Sequence, residues 1–448
     1  MTRLTAPVVL VRHRHQDPAV SGERAPPVRN RYVVDQQHVA DLPVTFARKA
    51  RMDRPQFHNL AMSAFGTDQF GPLPGFLLDG QGDIAPVGAS DGGQVYMVRD
   101  YALGRLVLSD KRFSRAEAVR PHVPTITDSE PAADSMMSMD GADHARLRRS
   151  VAGAFSRQKV AALAPYAEQL ADARLDQMEA AGPPADIISG LAAPVSLGVL
   201  CALLGIPIKD NVKFADLVEV LFDISRSTPE QKFRQRLEIV DYMRQLMSAK
   251  RTRHDDDLLT ALIERREDVG LSQGEMITLG LTLLMAGYET TAGQIGLAVQ
   301  WLLSNPEAWQ CLRERPDSLT PTVEELLRLT PSTPLSFPRV ALEPLSLGAV
   351  TIEKGDPVIV SLLHGNHDAK VFSQPSLLLP EEHKSSHLTF GHGAHRCLGA
   401  PLAQMQVQTV LTRLIRRFPE LRLVPGPDAI AWKEGLAIRG HTRLFVEW

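Results

Sequence analysis

The chain of 448 residues is predicted to be mainly α-helical with small β-sheets, an α+β protein. Three features predict this class. Helical patterns fill 143–155 and most of 160–270, and a long, almost uncharged helix follows them. Beyond Pro331 the pattern switches to short alternating strands.

Local signals predict the elements in chain order. Residues 1–55 are polar and rich in arginine, so we expect a partly ordered extension. Gln94–Val98 is typical of a strand, and a short helix is predicted through 106–108. The stretch 116–140 contains three prolines and is predicted to be a long loop. The stretch 225–229 is predicted to separate two helices.

The long helix has a clear beginning and end. Ser272 and Glu275 form a capping box, and apolar residues continue to about Ser304, before Asn305-Pro306 starts the next helix. Such a helix has about 30 residues and is ~45 Å long. Because it is apolar all round, it is predicted to be buried.

The C-terminal part alternates between strands and a helix. Strands are predicted at Val350–Ile352 and 358–360, around the turn 353–355. Apolar spacing after Cys397 predicts a helix that Pro419 stops.

Composition excludes several classes of protein. The net charge of −3 gives no basis for a nucleic-acid partner. Cys201, Cys311 and Cys397 are too few and too scattered for a disulfide framework, which favours a reducing, cytoplasmic compartment. The uncharged run 187–208 contains glycines and prolines that suit a buried helix with an exit turn, so no membrane anchor is predicted.

The strongest functional signal is the segment 390–399, Phe-Gly-His-Gly-Ala-His-Arg-Cys-Leu-Gly. Gly391 and Gly393 allow a tight turn with positive φ. Cys397 then precedes a predicted helix, whose first N–H groups favour the thiolate form that binds metals. For an isolated cysteine, a buried structural role beside a glycine turn would be the better interpretation.

A second signal lies in the long helix, where 286–291 reads Ala-Gly-Tyr-Glu-Thr-Thr. The glycine costs roughly 1 kcal/mol relative to alanine, and a threonine hydroxyl can bond back to the preceding turn. Buried acids such as Glu289 are rare unless they are paired. Three unfavourable residues together indicate either a functional site or a simple helix kink.

Two further pairs are spaced to share helix faces. Glu325 and Arg328 are three apart, a spacing that many surface helices contain. His144 and Arg148 are four apart. The alternative interpretation of the second pair is a solvated basic face.

The spacing Phe-Gly-x-Gly-x-x-x-Cys-x-Gly, together with these motifs in this order, resembles the cytochrome P-450 family from about Gln94 to the C-terminus. Length alone would suggest two or three domains. The resemblance instead implies one P-450-type fold, a haem-thiolate monooxygenase domain over 56–448 with a long central helix over a haem b.

The resemblance also implies roles for individual residues. Cys397 would be the axial ligand of the haem iron, and Phe390 would shield its sulfur. Glu289 would relay protons, while Thr290 would hold dioxygen and an ordered water. The haem propionates would bind four basic side chains, those of His144, Arg148, Arg339 and His395.

The chain departs from the family pattern in one structural motif. The family uses Glu-x-x-Arg, here Glu325 and Arg328, to lock the haem-side core. An aromatic-acid-x-x-Arg segment usually braces this pair, but 377–382 reads Leu-Leu-Leu-Pro-Glu-Glu. The partner of the pair is therefore left open.

The resemblance implies the activity of a soluble, bacterial-type monooxygenase. A monomeric enzyme would take electrons from ferredoxin and ferredoxin reductase. It would hydroxylate or epoxidise a small lipophilic molecule in secondary-metabolite or antibiotic biosynthesis. The substrate-pocket candidates are Ala286, Leu335, Leu436 and Ala437.

Two alternatives stay open. The first is a haem-thiolate enzyme that performs oxidative coupling or another non-hydroxylating oxidation. The second is a zinc-binding structural module, because histidines crowd the region around Cys397. These histidines are His364, His367, His383, His387, His392 and His395.

Overall fold

The computed structural model of the protein describes residues 82–89, 92–124, 132–207, 229–252, 255–380, 386–433 and 438–448, with two further strands, β1 (Met62–Ala64) and β2 (Pro72–Pro74). The chain divides into two units, Met1–Val44 and Thr45–Trp448, and all described residues belong to the second unit. The predictions for 1–55 and for most of 225–229 lie outside the described residues.

The fold class predicted from the sequence is confirmed, because helices dominate and the sheets are small. The helices are α1 (Tyr101–Ser109), α2 (Arg115–Ala118), α3 (Gly141–Ala152), α4 (Arg157–Ala181), α5 (Ala193–Leu204), α6 (Pro229–Lys250), α7 (Leu258–Glu264), α8 (Arg266–Val269), α9 (Gln273–Ser304), α10 (Pro306–Glu314), α11 (Leu319–Leu329), α12 (Leu362–Asn366) and α13 (Ala400–Arg417).

The remaining strands are β3 (Ile84–Gly88), β4 (Gln94–Val98), β5 (Phe113–Ser114), β6 (Ala185–Asp186), β7 (Arg339–Ala341), β8 (Leu345–Leu347), β9 (Val350–Ile352), β10 (Pro357–Val360), β11 (Arg422–Leu423), β12 (Ile430–Trp432) and β13 (His441–Glu447). One sheet has the order β3-β4-β10-β7-β5, in which β10 runs parallel to β4 and antiparallel to β7. In a second sheet, β13 pairs with β11, β12 and β6.

The long helix α9 begins as predicted. The hydroxyl oxygen of Ser272 accepts the N–H of Glu275 at 3.1 Å, and the Glu275 carboxylate accepts the N–H of Ser272 at 2.8 Å. The helix runs for 32 residues, and most of its side chains are buried. It packs against α5, α6, α13 and β13, so it forms the centre of the helical core.

One prediction needs correction. The long loop predicted for 116–140 overlaps α2, because the hydroxyl of Ser114 caps the backbone N–H of Glu117 at 3.0 Å and starts a helical turn. A 3₁₀ turn, Met136–Ser138, follows. Most of the described part of 160–270 is helical, as predicted, with a break where Gly182, at a φ of +75°, ends α4 before β6.

The described part of the uncharged run, 187–207, contains a buried helix with an exit turn, as predicted. A π-helical turn, Ile188–Ala192, leads into α5, and Gly205 ends that helix with a φ of +78°. Among the helices of the described segments, none combines the length and the apolarity that crossing a bilayer requires.

The open question about the Glu325–Arg328 pair has a structural answer. Arg328 donates two hydrogen bonds of 2.8 Å to the Glu325 carboxylate, and both side chains are buried. It also donates to the carbonyls of Pro375 and Leu377, at 2.6 and 3.0 Å. The N–H of Leu379 donates to Glu325 at 3.2 Å. Main-chain groups of residues 375–379 therefore hydrogen-bond to the pair, in place of the arginine that the family pattern would supply.

Candidate active site

The loop before α13 turns back on itself and closes with a main-chain hydrogen bond. The N–H of Cys397 donates to the carbonyl of Phe390 at 2.7 Å. Gly391 and Gly393 have φ values of +67° and +73°, as the sequence predicted. A Cβ at Gly393 would lie 2.5 Å from the carbonyl oxygen of Leu108, so only glycine fits this turn. The position of the loop is thus set by its own backbone and by α1.

Cys397 lies just before α13, with an exposed side chain. The dense protein around the sulfur raises the pKa of the thiol, although part of the side chain keeps an exposed surface. The N–H groups of Gly399 and Ala400 and the guanidinium of Arg148 lower this pKa, but by less. The N–H groups at the start of the helix therefore lower the pKa of the thiol, as predicted, but burial outweighs them and the net pKa is raised. A metal cation that bound here would displace the thiol proton.

Two histidines that were predicted to bind one cofactor stack on each other. The rings of His144 in α3 and His395 in the loop have centroids 4.1 Å apart and are inclined at 30°. Nε2 of His395 lies 3.7 Å from the Asp140 carboxylate. Burial lowers the pKa of His144 to about 4 and also lowers the pKa of His395. The neutral His144 ring keeps one N–H that can be donated to a ligand.

Three arginines join this group. Nη2 of Arg148 donates to the carbonyl of Arg396 at 2.6 Å, which ties α3 to the cysteine loop. Arg339 is buried in β7, and burial together with the neighbouring Arg115 lowers its pKa to about 10, so it stays charged at neutral pH. Arg115 is also buried, and its Nε donates to the carbonyl of Met137 at 3.0 Å. Sequence reasoning missed Arg115, because no motif or spacing marks it.

This cationic cluster carries more basic groups than acids. Its basic side chains are those of Arg115, His144, Arg148, Arg339 and His395. Asp140 is the carboxylate that interacts with His144, His395 and Arg339. Because buried charges are stable only when paired, a ligand with two carboxylates would suit the cluster.

The segment 286–291 keeps α9 helical throughout. The hydroxyl of Thr290 donates to the carbonyl of Ala286 at 2.6 Å, the back-bond that the sequence suggested. Ala286 is exposed, which corrects the prediction that this helix is buried all round. The adjacent Gly287 faces α5 instead, since a Cβ there would lie 3.0 Å from the Leu200 side chain, so the exposed position in this segment is Ala286.

Glu289 is buried, and its partner comes from a remote segment. Its Oε2 accepts a hydrogen bond from Nζ of Lys433, which directly follows β12. The two residues are 144 positions apart. The sequence indicated that a buried Glu289 needs a partner, but it did not identify Lys433, because the two residues are so far apart in the chain.

The crowded histidines separate in space. His364 lies against the hydroxyl of Ser361, and His387 lies 3.4 Å from the carboxylate of Glu324. Within the described segments, no group of three His, Cys, Asp or Glu residues could hold a metal ion. His383 lies outside the described residues. The zinc-module alternative gains no support from this arrangement.

The predicted pocket residues have different environments. Ala286 is exposed on α9, whereas Leu335 is buried in a cluster with Val95. Leu436 and Ala437 lie outside the described residues. The role of these four in a substrate pocket stays a prediction.

A helix-rich fold in which a long buried helix packs against the helix that follows a cysteine loop fits a haem-thiolate enzyme, and sequence comparison gives the same class. The model of the family "Cytochrome P450" matches residues 91–428, and the chain belongs to this family. It is therefore an oxidoreductase, a monooxygenase with a haem-iron cofactor.

Relatives with known names are similar along most of the chain. Nocardicin C N-oxygenase of Nocardia uniformis subsp. tsuyamanensis is 39% identical over 347 residues, which cover 77% of this chain and 87% of the relative. Mycinamicin IV hydroxylase/epoxidase of Micromonospora griseorubida is 36% identical over 359 residues, covering 80% and 90%. The crystal structure of the LnmA cytochrome P450 hydroxylase, from the leinamycin biosynthetic pathway of Streptomyces atroolivaceus S-140, has a TM-score of 0.78. It is 37% identical, and the match covers 85% of this chain and 98% of that one.

The donor set of the site fits a haem. The cationic cluster offers charge for two propionates, and the guanidinium of Arg148 is close enough to influence the thiol of Cys397. A cysteine sulfur and a cationic cluster therefore share one region, as binding of an iron porphyrin with two carboxylates would require.

Asp140→Asn tests whether Asp140 offsets the charge of the cluster. Burial acts to raise the pKa of Asp140, but the nearby His395 and hydrogen bonds from Ser114 and two backbone amides hold it well below the usual 3.8. A lowered pKa contributes stability above pH ~4 that is lost as the pH falls further. We expect the variant to lose about 1–3 kcal/mol of unfolding free energy at pH 7, with a smaller difference at pH 3. Urea unfolding at both pH values measures this.

The matched control is Asp143→Asn, which changes an exposed carboxylate in the first turn of α3. It should leave the unfolding free energy nearly unchanged. An equal loss in both variants, or a loss at position 140 that does not shrink in acid, would contradict the role given to Asp140.

Proposed function

We propose that this protein is a haem b monooxygenase with Cys397 as the axial ligand, which hydroxylates or epoxidises a lipophilic small molecule. The closed loop supports this most directly, because it holds the sulfur at the start of α13 beside the guanidinium of Arg148. We assign the activity to residues 56–448, acting as a monomer.

Four basic residues would hold the cofactor. His144, Arg148, Arg339 and His395 would bind the propionates through charge-assisted hydrogen bonds. When bound, the haem supplies reductive cleavage of dioxygen, with one oxygen atom going to the substrate and the other to water. Phe390, whose carbonyl closes the loop, would cover the sulfur.

The helix residues supply proton handling. Thr290 directs its hydroxyl proton to the Ala286 carbonyl, so its oxygen is left as an acceptor for an ordered water, and that water can in turn donate a hydrogen bond to dioxygen. Glu289 precedes it and carries the carboxylate that can take up a proton and release it. The exposed position of Ala286 leaves room for a small molecule at these groups.

Replacing the proposed ligand should change the colour of the protein. Cys397→Ser removes the thiolate, so we expect the reduced protein under carbon monoxide to lose the red-shifted absorption band of a thiolate haem. Absorption spectroscopy of the purified variant measures this. Cys311→Ser is the control and should keep the band. An unchanged band and unchanged oxygenated product in Cys397→Ser would refute the assignment of the ligand.

Removing the helix hydroxyl should separate electron use from product formation. Thr290→Ala lacks the acceptor that orients protons, so we expect reductant to be consumed while most of it appears as hydrogen peroxide. The product yield should fall by about 10- to 100-fold. Thr290→Ser keeps the hydroxyl and should retain most of the coupling. Tightly coupled oxygenation in the alanine variant would exclude this role for Thr290.

A ferredoxin, itself reduced by a ferredoxin reductase, is proposed as the electron donor. Two exposed arginines border the cysteine loop: Arg105, near His392, and Arg396 itself. Arg149 is also exposed, and it follows Arg148, which donates to the carbonyl of Arg396. A positive surface near the proposed haem ligand suits an acidic electron carrier.

Reversing one of these charges should slow the arrival of electrons. We expect Arg149→Glu to reduce the rate of iron reduction by a reduced ferredoxin about tenfold at low salt, and by much less at high salt because ions screen the surface. Stopped-flow absorption measures this rate. Lys354→Glu, an exposed change in the 353–355 turn, is the control. Equal rates for Arg149→Glu and the unmodified protein at low salt would exclude this docking surface.

The substrate is proposed only by class. The named relatives act, by their names, on nocardicin and mycinamicin, and the small or aliphatic pocket candidates suit a lipophilic secondary metabolite. A screen for compounds that shift the iron spin state would identify it. Oxygenation with labelled dioxygen would then distinguish insertion from oxidative coupling, because coupling leaves no label in the product.

A further inference from the structure

The buried ion pair between Glu289 and Lys433 is unusual in its position. The Glu289 side chain is 9% exposed and that of Lys433 is 16% exposed, so the pair is largely removed from water. Glu289 directly precedes Thr290 in α9. The pair therefore places a cation from the C-terminal sheet beside the carboxylate proposed to handle protons.

The backbone of Lys433 is held against α9 by close packing. Its N–H donates to the carbonyl of Gly440 at 3.0 Å, across the neck of the hairpin between β12 and β13. A Cβ at Gly293, one helical turn beyond Glu289, would lie 2.7 Å from the Arg439 carbonyl oxygen. A Cβ at Gly440 would lie 3.1 Å from the Cα of Gly293.

A second hydrogen bond fixes the same neck. The N–H of Arg439 donates to the carbonyl of Ser332 at 2.6 Å, just beyond the C-terminal end of α11. The hairpin neck is thus tied both to α9 and to the segment after α11. Lys433 consequently has little freedom except in its side chain, and that side chain reaches Glu289.

Burying an ion pair costs desolvation free energy, so the presence of this pair needs an explanation. Removing two charges from water costs several kcal/mol per ion in proteins, and a buried pair is often no more stable than apolar residues of the same volume. A purely stabilising role is thus a weak explanation of the pair. Its effect on Glu289 is specific, because the hydrogen bond from the ammonium group fixes the position of one carboxylate oxygen.

We propose that Lys433 is a positioning residue: its ammonium group holds the Glu289 carboxylate in one orientation on α9, from which the carboxylate can pass a proton towards Thr290. The inference rests on the proposed proton-handling role of Glu289. It adds a residue of the C-terminal hairpin, Lys433, to the acid and the alcohol of α9 that are proposed to act in dioxygen chemistry.

Four variants test the coupling of the two residues: Lys433→Met, Lys433→Arg, Glu289→Gln and the double variant Lys433→Met/Glu289→Gln. The fraction of reductant that appears as hydrogen peroxide is measured with a surrogate ferredoxin, its reductase and a spin-shifting ligand. We expect Lys433→Met and Glu289→Gln each to raise this fraction several-fold, and the double variant to be no worse than the more impaired single variant. Lys433→Arg should restore most of the coupling, because the cation is kept.

Thermal unfolding of the same proteins gives a readout independent of activity. Residues that form one pair show non-additive changes, so the drop in Tm of the double variant should be smaller than the sum of the two single drops. Lys354→Met is the control and should change neither the Tm nor the peroxide fraction, because Lys354 is exposed in a turn.

Three outcomes have different meanings. Normal coupling in Lys433→Met together with impaired coupling in Glu289→Gln would overturn the role of Lys433 and leave the role of Glu289 intact. Normal coupling in Glu289→Gln would overturn the proton-handling role itself. Additive changes in Tm would show that the pair does not form in solution and would also overturn the inference.

Discussion

The site depends on where the sulfur of Cys397 is held, and one main-chain hydrogen bond largely decides this. The bond from the Cys397 N–H to the Phe390 carbonyl closes a turn that needs positive φ at Gly391 and Gly393. The backbone of Leu108 leaves no room for a side chain at the second glycine. The turn thus sets the sulfur before α13 through backbone geometry, which substitutions in the neighbouring side chains would disturb little.

Charge is the second constraint. The cationic cluster brings basic side chains from α2, α3, β7 and the cysteine loop around one carboxylate, Asp140. Burying cations together is unfavourable unless anions balance them, and the two propionates of the proposed haem would do so. Cofactor binding and stability of the fold should therefore be linked, because a group bound by the cluster would also reduce repulsion within it.

The elements with strong local signals were predicted well. The capping box of α9, the strand β4 and the helix after Cys397 all form where the sequence indicated. The loop at 116–140 was predicted less well, because a single hydroxyl of Ser114 starts α2 within a stretch that composition alone marks as irregular. The main-chain partners of Glu325 and Arg328 were also not predictable, since any sequence offers backbone N–H and carbonyl groups.

The sequence by itself determined the chemistry that the chain can offer: a cysteine after a glycine turn, an acid and an alcohol in an apolar helix, and basic residues at helical spacing. These signals are local, so they survive without coordinates. Only the tertiary structure decided the partners of these groups. Packing brings together residues far apart in the chain, so Lys433 forms an ion pair with Glu289, and the like charge of Arg115 lies near Arg339. Side-chain electrostatics depend on such distances in space, which spacing along a chain does not contain.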